Sequence, residues 1–258
     1  MLKEGAAEDH ANQDRIARLL RFASTREGTE AQVVSLADYV GRMKEHQDAI
    51  YYITADGFTA ARNSPHLEIF NKLGVEVLLM YDRIDEWVVS TLTEFDGKPL
   101  QSVAKGSLDL SKLGEAPKDE TAKTAAAYAP LLERIQEALK DRASAVRTTE
   151  RLTDSPACLV SEGYGPGTNL ERILKAAGQA VPATKPVLEI NASHPLVQRL
   201  GNETDQTRFA DWSQILFDQA TLAEGGQLDD PASFVKRLND LMLTLAGEGP
   251  SKLWMPGQ

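Results

Sequence analysis

Val75–Val103 reads VEVLLMYDRIDEWVVSTLTEFDGKPLQSV, and the fold follows from the alternation it carries. Val75–Tyr81 is apolar at nearly every position, which is what burial on both faces of a parallel sheet produces. Asp82–Leu92 predicts a helix, whose acidic start suits the positive end of a helix dipole. Pro99–Val103 predicts the next strand. On the N-terminal side, Ala49–Thr54 is rich in Ile and Tyr and reads as a strand. Ser64-Pro65 reads as an N-cap followed by proline at the first helical position, and Gly74 as the left-handed residue that closes that helix. Ser35 caps a further helix running to about His46, with Asp38 placed to complete a capping box. Asp9–Phe22 carries Ile16, Leu19 and Leu20 at helical spacing and predicts an amphipathic lead-in helix. Strand and helix alternating from Ala49 to Val103, joined by right-handed crossovers, predict a small three-layer αβα unit with a short parallel sheet.

Periodicity breaks between Lys105 and Asp119, where Gly106, Gly114, Pro117 and several charges intervene. A domain boundary is expected there, dividing the chain into 1–112 and 113–258. The second unit reads as α+β. Thr121–Lys140 predicts a long helix that Pro130 kinks or restarts. Ala145–Arg151 and Pro156–Val160 predict strands paired across the turn Thr153-Asp154-Ser155, with Lys185–Ile190 as a third strand. Thr168–Ala177 predicts a helix after the glycine-rich loop Gly163–Gly167, with Leu170, Ile173 and Leu174 on one apolar face.

After His194–Leu200 come two strongly amphipathic helices, Thr207–Glu224 and Asp230–Ala246. Gly225-Gly226 ends the first and Asp230-Pro231 starts the second, so the pair predicts a tight helical hairpin. Phe209, Trp212, Ile215, Leu216 and Leu222 line the first helix, and Phe234, Leu238, Leu241, Met242 and Leu245 line the second. Each helix carries more apolar face than one partner covers. Two hairpins about a twofold axis then predict a homodimer closed as a four-helix bundle.

The formal net charge of −10 argues against sequence-independent binding to nucleic acid, which needs a basic surface. Cys158 is the single cysteine and cannot form an internal disulfide. No charged-then-apolar leader opens the chain, and no apolar run approaches the ~20 residues that span a bilayer. A cytoplasmic protein without membrane attachment is the expectation. His10, His46, His66 and His194 are far apart, and none has a second histidine or cysteine one helical turn on, so no metal site is expected. The loop Gly163–Thr168 lacks the lysine of a phosphate loop. No nucleophile motif occurs, and an enzymatic reading would rest on Asp56 and Asp82 at strand ends alone. No catalytic residue is expected.

Eight short motifs stand in order: IYYITAD at Ile50–Asp56, SPHLE at Ser64–Glu68, DRIDEW at Asp82–Trp87, LTEFDGK at Leu92–Lys98, RLTDSPA at Arg151–Ala157, LEIN at Leu188–Asn191, LFDQATLAEG at Leu216–Gly225 and DPASF at Asp230–Phe234. Together they resemble the bacterial HtpG chaperones of the ninety-kilodalton heat-shock family. The resemblance runs from near Leu2 to about Leu245 and covers the second half of such a chaperone. The chain accordingly reads as a fragment, opening with an added methionine, that spans the later part of the middle domain and the C-terminal dimerisation domain. The resemblance implies client contact at Glu86, Trp87 and Ser90, and at the apolar side of a mobile helix carrying Leu170, Ile173 and Leu174. It also implies constitutive homodimerisation through the final helices. ATP and magnesium belong to the parent chaperone, so this fragment is expected to hold no cofactor and to hydrolyse no ATP. The ending SKLWMPGQ differs from the acidic peptide with which eukaryotic relatives recruit cochaperones, and no such recruitment is expected.

Overall fold

The computed structural model describes residues 2–106, 108, 118–161 and 184–246. The first half comprises α1 (Leu2–Glu8), α2 (Gln13–Ala17), β1 (Ala23–Ser24), α3 (Leu36–Gly41), β2 (Ile50–Thr54), α4 (Phe58–Arg62), α5 (Glu68–Leu73), β3 (Leu78–Met80), α6 (Asp85–Thr91), β4 (Glu94–Phe95) and β5 (Lys98–Ser102). The strands form one sheet in the order β1-β3-β2-β5-β4. Its centre is parallel, β3 on β2 and β2 on β5, whereas both edges are antiparallel. The expected parallel sheet is therefore only the middle of a mixed one. Strands β1 and β4 are two residues each, too short to print a periodicity. Asp96 and Gly97 have φ of 47° and 73°, the left-handed pair that a two-residue hairpin between β4 and β5 requires.

Alternation across the pleat builds a layer on each face. Ile50, Tyr52, Leu78 and Met80 pack with Ala6, Ala17, Tyr39, Val88 and Leu92 from one set of helices. Tyr51, Ile53 and Leu79 pack with Ala61, Leu67 and Phe70 from the other. The capping box at Ser35 forms, with Asp38 N–H donating to Ser35 Oγ at 3.0 Å and Ser35 N–H to the Asp38 carboxylate at 3.1 Å. Ser64 caps a 3-10 turn at Pro65–Leu67 that leads into α5, and Gly74 closes α5 at φ 61°.

The lead-in helix expected over Asp9–Phe22 is corrected. Asp9 caps a separate 3-10 turn at His10–Asn12, and helix continues only through α2. Phe22 and Val34 exchange backbone hydrogen bonds of 2.9 and 3.0 Å, which draws the end of the expected helix toward the sheet.

In the second half, α7 (Lys118–Ala138) runs through Pro130 as one helix. It is followed by β6 (Ala145–Thr148), β7 (Ala157–Val160), β8 (Val187–Ile190), α8 (Pro195–Gly201), α9 (Gln206–Ala223) and α10 (Pro231–Ala246). The strand order is β6-β8-β7, with β8 parallel to β6 and antiparallel to β7. This corrects the expected pairing of the two earlier strands. The segment between them is no tight hairpin, because its turn is held from elsewhere. Thr153, Asp154 and Ser155 donate their backbone N–H groups to the Glu68 carboxylate at 2.5, 2.8 and 3.1 Å. One face of this sheet joins Leu131, Ile135, Leu139, Val197, Phe209, Trp212, Leu216 and Ala220 in a single core. The expected boundary at 112/113 and the helix expected over Thr168–Ala177 lie outside the described residues. Among the described residues, no helix is long and apolar enough to cross a membrane.

The two halves meet through buried polar contacts. Arg151 donates from Nη1 to Val103 O at 2.9 Å and from Nη2 to Lys105 O at 3.2 Å, and its Nε lies 2.8 Å from Glu189 Oε2. His66 is fully buried, with Nε2 2.8 Å from Glu224 Oε1. Burial raises the pKa of Glu68, but the hydrogen bonds from Ser155, Asp154 and Thr153 outweigh it and hold the carboxyl below its usual range. A depressed folded pKa stabilises above the unfolded value and loses that contribution as pH falls through the folded value. Glu68→Gln is therefore expected to lower stability at pH 7, with the gap to wild type narrowing as pH drops below 4.5. Urea denaturation at both pH values checks this, and an equal gap at both would count against it.

Candidate functional site

Helix α6 begins with a turn closed by its own side chains. Asp85 N–H donates to Asp82 O at 2.8 Å, and Asp82 N–H donates back to Asp85 Oδ2 at 3.0 Å. Lys3 of α1 spans the pair, its Nζ 2.6 Å from Asp82 Oδ2 and 2.7 Å from Asp85 Oδ1. Gln32 adds a bond to Asp82 Oδ2 at 3.1 Å. The ammonium also stands 4.9 Å above the Phe22 ring, where the negative ring face attracts it. Burial pushes the Asp85 carboxyl up against the pull of Lys3. At Asp82 burial acts the same way, but the bonds from Lys3 and Gln32 prevail and hold it low.

Asp85, Glu86 and Val88 face inward. Trp87 remains 39% exposed, and Ser90 is exposed one turn on, its Oγ donating to Trp87 O at 2.8 Å. Trp87 and Ser90 thus share an outer face. Glu86, expected beside Trp87 at the surface, is 5% exposed and belongs to the inner side. Successive helix positions lie about 100° apart, so adjacency in sequence does not give a shared face. The Tyr52 hydroxyl is pushed up, first by its own burial and then by the Glu86 charge.

The residues expected at a dimer interface separate into two groups. Phe209, Trp212 and Leu216 lie in the core of their own chain, and Ile215 is buried as well. Leu222 is 46% exposed. On α10, Phe234, Leu238 and Leu241 are half-buried, with Leu241 packed against the core. Val235 and Met242, on one flank of that stripe, are 51% and 60% exposed. Leu170, Ile173, Leu174 and the side chain of Leu245 lie outside the described residues.

Two supporting constellations escaped the sequence reading. Lys3 precedes Asp82 by 79 residues, so no local spacing announces the contact. Asp218 sits on the inner side of α9, 3% exposed, with one oxygen 2.6 Å from Arg142 Nη2 and the other 3.1 Å from Arg237 Nη2. An acid inside the apolar pattern Trp212, Leu216, Ala220 was the available signal, since buried carboxylates need partners. Asp218 thereby ties α10 to α9.

The family model for Hsp90 protein matches residues 1–252. The chain belongs to the Hsp90 family. Within that family it is similar to bacterial proteins named Chaperone protein HtpG. It is 62% identical over 249 residues to the one from Dechloromonas aromatica, covering 96% of this chain and 39% of that protein. It is also 62% identical to those of Aromatoleum aromaticum, over 96% of this chain and 38% of the relative, and Nitrosospira multiformis, over 95% and 38%. The chain spans about two fifths of the length of these curated relatives.

Within this Hsp90-family chain, Asp218→Ala is expected to release α10 from α9. The two arginines are partly exposed and can reach water, so the loss is about 2 kcal/mol, below the cost of breaking a fully buried pair. Hydrogen exchange should accelerate across 231–246 with little change in the β3-β2-β5 sheet. Uniform acceleration would contradict the local role.

Proposed function

We propose that this chain provides the client-contacting and dimerising part of an HtpG-type chaperone. The observation that carries the reading is Trp87. A large aromatic side chain is held at the surface on a helix whose opposite side is buried and whose first turn is fixed by an ion triple. Surface tryptophans concentrate binding energy, because the ring buries a large apolar area at small entropic cost. With Glu86 turned inward, attraction of basic client segments falls to the chain's overall charge of −10. The helical spacing of Leu170, Ile173 and Leu174 supports a second apolar contact in the same role. Nucleotide binding and hydrolysis belong, in this reading, to the whole chaperone. This chain supplies no catalytic group of its own.

Trp87→Ala is expected to weaken binding of reduced, carboxymethylated lactalbumin, a permanently unfolded chain, by roughly thirtyfold, or about 2 kcal/mol. Fluorescence anisotropy measures the affinity and circular dichroism the fold. Unchanged affinity in a folded variant would remove Trp87 from the client surface.

The dimer reading takes support from the apolar surface that α9 and α10 leave uncovered: Leu222, Val235, Met242 and the half-buried stripe Phe234, Leu238 and Leu241. A twofold axis would set the same apolar surface of a second hairpin against it, and a stable interface buries at least ~1,200 Å² in total. Light scattering is expected to give about twice 28.2 kDa for the wild type. Val235→Asp with Met242→Asp should return the mass to one chain without unfolding it, since both positions are exposed. A wild-type protein monomeric at tens of micromolar would refute the reading.

A further inference from the structure

We propose that Lys3 is a positioning residue for the Trp87 surface, fixing through Asp82 and Asp85 the direction in which α6 presents its tryptophan. The inference rests on the client reading of that surface, and its test separates the two.

The Asp85 side chain is 1% exposed and cannot stay ionised there without a cation or hydrogen-bond donors. It has both. Oδ2 accepts the Asp82 N–H and closes the turn, while Oδ1 faces the Lys3 ammonium at 2.7 Å. Trp87 hangs on the same turn, because its backbone N–H donates to Ile84 O at 3.0 Å. Without the ammonium, Asp85 must take up a proton or move toward water. Either change weakens its hold on the Asp82 N–H, loosens the turn and lets the indole swing. Asp82 acts as the outer leg, its oxygen shared between Lys3 and Gln32 at 2.6 and 3.1 Å. Lys3 is itself placed by Phe22, whose ring lies 4.9 Å below the ammonium. The device therefore joins α1, the segment before β1 and α6 at one charge.

Fluorine NMR of the full chain labelled with 5-fluorotryptophan reads the indole directly, with the Trp87 resonance assigned by its loss in Trp87→Phe. Lys3→Met is expected to displace and broaden that resonance, leave Trp212 in place, and reduce affinity for carboxymethylated lactalbumin about tenfold. Lys3→Arg, which keeps the cation, should restore both. A folded Lys3→Met protein whose Trp87 resonance stays at the wild-type position overturns the proposal. If Lys3→Met does not fold, Asp82→Ala decides, because it removes the outer leg without stranding the buried acid. A displaced Trp87 resonance supports the proposal there, and an unmoved one overturns it. Should Trp87→Ala leave lactalbumin binding intact, the client reading fails, yet the resonance still tests what Lys3 does.

Discussion

A carboxylate with 4% side-chain exposure, Glu189 in the middle of β8, constrains the arrangement of both halves of the chain. A charge so placed is tolerated only when its oxygens are paired, and unpairing one costs far more than the pair contributes over an apolar substitute. Arg147 Nη2 lies 2.7 Å from one oxygen and Arg151 Nε 2.8 Å from the other. Arg151 then has donors to spare, and they close on the carbonyls of Val103 and Lys105 at the end of the first half. Lys105 also bridges Ser161 beyond β7. The acid that organises the second sheet thus sets the register of the first sheet against it.

Glu68 and His66 work outward from that point. Three backbone donors on Glu68 hold the loop between β6 and β7, and this frees β8 to insert between the two strands. His66 meets Glu224 where α9 ends. The helix that supplies the second core is thereby anchored at its far end to the first half. Among the described residues, then, the two halves are joined by directional polar bonds, and such bonds specify one geometry where packing alone tolerates several.

Much of the local structure is legible in the sequence. The capping box at Ser35, the N-cap at Ser64, the left-handed Gly74 and the central strands all follow from local rules, and local rules act within a few residues. What escaped depended on distance or on brevity. Phe22 leaves the expected helix because Val34 offers it backbone partners. Strands β1 and β4 are too short for an alternation to show. The strand order β6-β8-β7 could not be read, since the decisive contact comes from Glu68, 85 residues before Thr153. Glu86, which the resemblance sets beside Trp87 at the surface, lies on the inner side of α6, since successive helix positions are about 100° apart. Phe209, Trp212 and Leu216, expected at an interface, are buried in the core of their own chain. An apolar stripe announces burial without naming what buries it.

The motifs that carried the resemblance divide along the same line. SPHLE supplies His66 and Glu68, RLTDSPA supplies Arg151 and the loop that Glu68 holds, LEIN supplies Glu189, and the Leu216–Gly225 segment supplies Asp218 and Glu224. All of these are buried or bonded across long sequence separations, and most meet at the junction between the halves. DRIDEW differs, since it combines a buried acid that fixes a turn with a tryptophan turned to solvent. Its inner residues determine where its outer residue points. A surface made this way can be altered without touching it, because the geometry of Trp87 is set by charges on the far side of α6.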